Sequence, residues 1–124
     1  MKTLFYSKDP DAVEHRNAIQ RRVPRVYMDT VDSTLKLQNI LRRPMNRVCV
    51  IIRWITDADE LNSLVQLGPF FDSIRIITIL PDQNHETLSM ALGLNPSFIT
   101  YHDNRPEEIA SVLEQIQAVN GKAS

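Results

Sequence analysis

Cysteine, glycine and aromatic side chains are all scarce in this chain. Its 124 residues include one cysteine, three glycines and 6% aromatics. The single Cys49 excludes an internal disulfide and a cysteine-based zinc cluster. It sits within the apolar run Val48–Ile52, so a buried, inert thiol is expected. Gly68, Gly93 and Gly121 leave no glycine-rich loop whose backbone N–H groups could surround a phosphate. Nucleotide or flavin binding by that route is not expected, and no cofactor is implied. No apolar run approaches the roughly 18–20 residues of a membrane span. The opening segment MKTLFYSKDP is too short in its apolar part for a signal-peptide core. A cytoplasmic location and no membrane partner are therefore expected. Neither sign of charge dominates: Lys plus Arg number 14 and Asp plus Glu 15, a net charge of −1. Nucleic-acid-binding domains usually carry a net basic footprint, so nucleic acid is not expected as a direct partner.

What is present is enough apolar residue for one core. The hydrophobic share is 43% and the charged share 23%. A chain of this length buries roughly 65–70% of its unfolded surface without covalent help. Prolines and polar clusters divide the sequence at regular intervals, and strand and helix periods alternate between them. The first strand reads Thr3–Ser7, and a helix follows to Val23, with Asp9 as N-cap and Pro10 in the first turn. Arg25–Asp29 is a short second strand. Val31–Arg43 is a second helix with Val31, Leu35, Gln38 and Leu41 on one face.

Val48–Ile52 is continuously apolar and mostly β-branched, as expected of a strand covered on both faces in the middle of a parallel sheet. A third helix begins with the capping pattern Thr56-Asp57-Ala58-Asp59, carries Leu61, Leu64 and Val65, and closes at Gly68-Pro69. The fourth strand is Ile74–Leu80. Its helix starts from an Asn84 cap, buries Leu88, Ala91 and Leu92, and ends near Asn95-Pro96. Phe98–Tyr101 is the fifth strand. The last helix begins at 104–106 and presents Ile109, Val112, Leu113 and Ile116 as one stripe. Residues 1–119 make one domain, and Asn120–Ser124 reads as a frayed tail or the start of a linker. Five βα units imply an α/β, flavodoxin-like, doubly wound sheet between two helical layers, with strand order 2-1-3-4-5. Ligands of such folds bind beyond the carboxyl ends of the strands.

The succession of five strand–helix units, the Asp9-Pro10 opening of the first helix and the stretch Ala91–Thr100 resemble the receiver domain of two-component response regulators. The resemblance implies two acidic residues ending strand 1, an Asp ending strand 3, a Thr or Ser ending strand 4 and a Lys ending strand 5. These residue types hold Mg²⁺ and stabilise a phosphoryl group. Here the acidic pair falls on Ser7 and Lys8, with Asp9 beside them, and the acceptor on Ile52 or Arg53. The hydroxyl position falls near Leu80, with Thr78 two residues early. The lysine position is Tyr101, followed by His102. The reading is a pseudo-receiver: a regulatory or protein-interaction domain in signal transduction that is neither phosphorylated nor an enzyme.

Two alternatives stay open. Ser7, Lys8, Asp9, Arg53, Trp54, Tyr101 and His102 are expected around one crevice, where Lys8 and Arg53 suit an anion and the aromatic rings a stacked ligand. The plainer expectation makes Lys8 and Arg53 solvated loop residues beside Asp9, Asp57 or Asp59. An enzyme with an unrecognised motif is the second alternative. His15, His85 and His102 lie on separate elements without metal-ligand spacing, so neither a metal site nor a catalytic residue is expected. The resemblance also implies pairing with a protein partner, or as a homodimer, through the helix 4–strand 5–helix 5 face. Met90, off the core stripe, and Tyr101 at the strand end are the candidate contacts there.

Overall fold

The computed structural model describes residues 2–44, 46–65, 74–93 and 96–123. Five strands, β1 (Lys2–Ser7), β2 (Tyr27–Val31), β3 (Val48–Trp54), β4 (Arg75–Leu80) and β5 (Phe98–Tyr101), alternate with five helices. These are α1 (Ala12–Arg22), α2 (Thr34–Leu41), α3 (Ala58–Val65), α4 (His85–Gly93) and α5 (Pro106–Ala123). The strands form one sheet in the order β2-β1-β3-β4-β5, and all four pairings are parallel. The expected topology is therefore the observed one, with the apolar β3 at its centre.

Side-chain alternation along the strands divides the interior into two clusters. Leu4, Tyr6, Ile51, Ile76 and Leu80 face Leu37, Leu61, Leu64 and Ala91 of α2, α3 and α4. Phe5, Val50, Ile52, Trp54, Ile77 and Ile79 face Ala12 and Ile19 of α1 and Ile109, Leu113 and Ile116 of α5. Val112 completes the α5 stripe at its margin. The result is a sheet between two helical layers.

Several boundaries differ from the sequence reading, each for a local reason. The second strand lies two residues later than Arg25–Asp29 and takes in Val31, whose side chain enters the core. The second helix starts at Thr34, because Ser33 accepts a hydrogen bond from Lys36 N at 3.1 Å and caps it. Leu37 and Leu41 then face inward, and Leu35 is left 64% exposed. Asp9 is not the cap of α1. It shapes the preceding turn by accepting a hydrogen bond from Asp11 N at 2.9 Å, and Asp11 occupies the cap position. In α3 the capping pair sits one residue along from the expected pattern. Asp57 accepts from Glu60 N at 2.9 Å while the Glu60 carboxylate accepts from Thr56 N at 3.2 Å and from the Thr56 hydroxyl. The closing Gly68-Pro69 lies outside the described residues. Asn84 caps α4 as expected, accepting from Glu86 N at 2.8 Å. In that helix Thr87, not Leu92, joins Ala91 inside, and Leu92 is 59% exposed. Cys49 is half-buried, not buried, against the α1/α5 cluster. α5 continues to Ala123, so residues 120–123, read as a tail, are helical.

Candidate functional site at the carboxyl ends of the strands

In a parallel sheet every strand delivers its last residues to the same edge. Ser7 ends β1 and closes the turn into α1. Its hydroxyl donates to Asp9 O at 3.1 Å and accepts from Asp9 N at 3.0 Å. A hydroxyl committed to its own backbone in both directions has no activating base and is not poised as a nucleophile. Lys8 is exposed. Ser7, Lys8 and Asp9 line a cavity of about 220 Å³ on the β1–β2 side, with Phe5, Val13 and Thr30.

β3 runs two residues past the expected Ile52, which carries Arg53 and Trp54 into the sheet. Consecutive strand residues point to opposite faces, and this separates two residues expected to share one crevice. Arg53 is not a solvated loop residue: it is fully buried on the α2–α4 side, level with Tyr6 of β1 and Thr78 of β4. Its guanidinium donates to Thr78 Oγ1 at 2.9 Å. Burial lowers the Arg53 pKa to about 10, because the charged form loses water. Tyr6 is raised, first by burial and then by the negative Glu60, itself 96% buried at the start of α3. Thr78, expected two residues before the hydroxyl position near Leu80, is level with Arg53 and bonded to it.

Trp54 turns to the opposite face. It is 7% exposed and stacks on His102, with ring centroids 3.8 Å apart and an interplanar angle of 13°. His15 from α1 meets the same indole at 5.0 Å and 60°. The sequence reading left His15 aside, yet Ala12, His15 and Ile19 fall at i, i+3 and i+7, the spacing of a core face. Burial lowers the pKa of both histidines. For His15 the neighbouring His102 adds to the lowering while Glu107 opposes it. For His102 a hydrogen bond with the Ile55 backbone and the carboxylates of Asp9, Asp103 and Asp82 oppose it. Trp54 Nε1 and the Nε2 atoms of His15 and His102 are buried without a hydrogen-bond partner among the described residues. Trp54 and His15 line the floor of an open cleft of about 600 Å³ between α1 and Pro106 of α5. The seven candidates therefore do not converge on one crevice. They distribute over two cavities and both faces of the sheet, and the central strand ends are occupied by the chain's own side chains.

Tyr101 ends β5 and is half-buried against the α2–α4 cluster. Met90 is likewise half-buried against that cluster, not off it. The two candidate contact residues border the same part of the core. Among the described residues no group of three His, Cys, Asp or Glu side chains is placed to hold a metal ion, and no helix is long and apolar enough to cross a membrane.

No family model and no curated protein matches the sequence. Solved structures do match. The isolated REC domain of RcsB from Salmonella enterica serovar Typhimurium superposes with a TM-score of 0.74 at 18% identity, over 95% of this chain and 88% of that one. A pilus assembly-related protein from Burkholderia pseudomallei gives 0.74 at 14% identity, over 95% and 90%. A response regulator CheY-like protein from Mesorhizobium loti gives 0.71 at 12% identity, over 91% and 95%. The fold is the flavodoxin-like fold of response-regulator receiver domains, as the sequence resemblance implied.

Proposed function

We propose that this chain is a receiver-like regulatory domain that does not accept a phosphoryl group and acts through protein contacts. The receiver fold supports a regulatory role in signal transduction. The observation that carries the finer reading is the buried Arg53–Thr78 hydrogen bond at the end of β3. A phosphoryl acceptor needs a carboxylate there, with further carboxylates at the end of β1 for a divalent cation. This chain has Arg53 in the first place and Ser7-Lys8 in the second. The stacking of Trp54 on His102 fills the neighbouring strand ends and likewise favours docking over turnover.

The contact face is formed by α4, β5 and α5. β5 is an edge strand, so one row of its backbone groups is open to strand addition. Tyr101 and Met90 offer half-exposed side chains of the kind enriched in interfaces, and Leu92 is exposed on α4. Two measurements test the reading. Adding beryllofluoride with Mg²⁺ leaves the amide spectrum unchanged; a saturable, Mg²⁺-dependent shift at Asp9 and Arg53 refutes it. Met90→Lys and Tyr101→Glu weaken self-association or partner binding in sedimentation. Binding untouched by both changes removes this face from the proposal.

A further inference from the structure

The net charge of −1 conceals a separation of charge along the strand axis. Arg25 lies two residues before β2, Lys2 begins β1, Arg47 immediately precedes β3 and Arg75 begins β4. In the sheet order β2-β1-β3-β4 these are four adjacent strands, each with one cation at its start. Strands lie about 4.8 Å apart, so the four cations cover about 14 Å across the sheet, staggered along it, with Lys2 level with Val48 and Arg75 with Val50. Arg25, Arg47 and Arg75 are exposed. The carboxyl ends of α1 and α2 add Arg21 and Arg42-Arg43 on either side of the row, while Arg22 is paired with Glu107 at 3.0 Å. Cations at helix ends suit the helix dipole, but that does not account for the four at strand starts. Among the described residues, no Asp or Glu lies in the last turn of α1 or α2 or between those helices and the next strand.

The opposite end is the complement. Each of the five strand-to-helix connections carries a carboxylate: Asp9, Asp32, Asp57, Asp82 and Asp103 in turn. Of the cations at that end, Lys36 is already paired with Asp32 at 2.9 Å, and the exposed Lys8 and Arg105 share their connections with Asp9 and Asp103. Because all strands run the same way, both ends repeat with the same strand spacing. Translation along the strand axis therefore sets the connections of one molecule over the strand starts of the next.

We propose that the row Arg25–Lys2–Arg47–Arg75 is a docking surface for the acidic, carboxyl-end face of a second copy of this chain. The contact is head-to-tail, so it does not close on itself by a two-fold axis and extends linearly. It is also weak and salt-sensitive, since exposed pairs are screened beyond about 8 Å at physiological ionic strength.

The test is sedimentation equilibrium of the full chain at about 0.3 mM protein. For a dissociation constant of about 1 mM, the weight-average mass at about 10 mM salt is about 1.5 times the monomer, and it returns to the monomer at about 0.3 M salt. The doubly substituted Arg47→Glu, Arg75→Glu chain stays monomeric. Added to wild type it lowers the mean mass, because its acidic end still docks while its reversed end stops growth. Arg47→Ser with Arg75→Ser, which adds no like charge, gives the same loss of association. Circular dichroism identical to wild type shows that the variants are folded. The proposal is overturned if the wild type is monomeric at low salt, or if the reversed chain associates as wild type does. It is overturned equally if the row binds duplex DNA or anionic vesicles while no self-association occurs. Met90→Lys and Tyr101→Glu leave this association intact, which separates it from pairing through β5.

Discussion

Trp54 is the chain's only tryptophan and holds the occupied strand ends together. Replacing it with alanine therefore tests the account of the site directly. A tryptophan side chain buries about 200 Å², and at about 25 cal/mol per Å² a 93% buried indole contributes about 4–5 kcal/mol as an upper bound. Cavity formation puts Trp54→Ala in the same range, about 3–5 kcal/mol. Removing the half-buried ring with His102→Ala costs about 1 kcal/mol, most of it the lost stack. If the 3.8 Å stack is an interaction and not mere proximity, the two changes are not additive. The double variant loses about 0.5–1.5 kcal/mol less than the sum of the singles. Urea unfolding followed by circular dichroism measures all four chains, since the fluorophore is lost in two of them. Additivity within about 0.3 kcal/mol would refute the claim that the two rings jointly close this end of the sheet. A loss below about 1 kcal/mol for Trp54→Ala would refute its burial.

Three further outcomes follow from the same geometry. Arg53→Ala destabilises by about 3–5 kcal/mol, because it opens a cavity in the central strand and strands the Thr78 hydroxyl; a loss under about 1 kcal/mol in urea unfolding contradicts it. Arg47 has φ 60°, the left-handed region where a side chain is strained, so Arg47→Gly raises stability by about 0.5–1 kcal/mol despite glycine's larger unfolded entropy; Arg47→Ala gains nothing. Burial lowers the pKa of His15 and His102, so the unfolded chain binds more protons below about pH 6.5 and stability falls as the pH drops from 7 to 5. His102→Phe keeps the stack and flattens that slope; an unchanged slope shows that His102 plays no part in it.

The sequence made the architecture legible because its central strands are unambiguous. Val48–Ile52 is apolar without interruption, as a doubly covered strand tolerates, and Ile74–Leu80 is mostly β-branched, with Arg75 and Thr78 as its polar residues. The margins were less legible where two signals competed. Ser33 begins α2, but Val31 and Leu35 fit a helical spacing by chance, and the edge strand β2 exposes too many residues to show a period. Arg53 was legible as a charge but not as a strand residue, since a buried guanidinium breaks the apolar pattern that marks a strand. The residues at the end of the third strand needed no coordinates, because Ile52, Arg53 and Trp54 stand there in the sequence and none is a carboxylate. The stack of Trp54 on His102 joins residues 48 positions apart, one at the end of β3 and one in the turn after β5, and no local pattern reports such a pair.

The order β2-β1-β3-β4-β5 also sets a timetable for the chain during synthesis. β1 is made first, yet it needs neighbours on both sides, and the second of these ends at Trp54. At about 5–20 residues per second, roughly three to ten seconds pass before that partner exists. Until then the apolar Leu4, Phe5 and Tyr6 have only the short, polar-edged β2 beside them. The central strand's arrival is thus the committing event, and β1, the first-made strand of this sheet, waits longest for its partners.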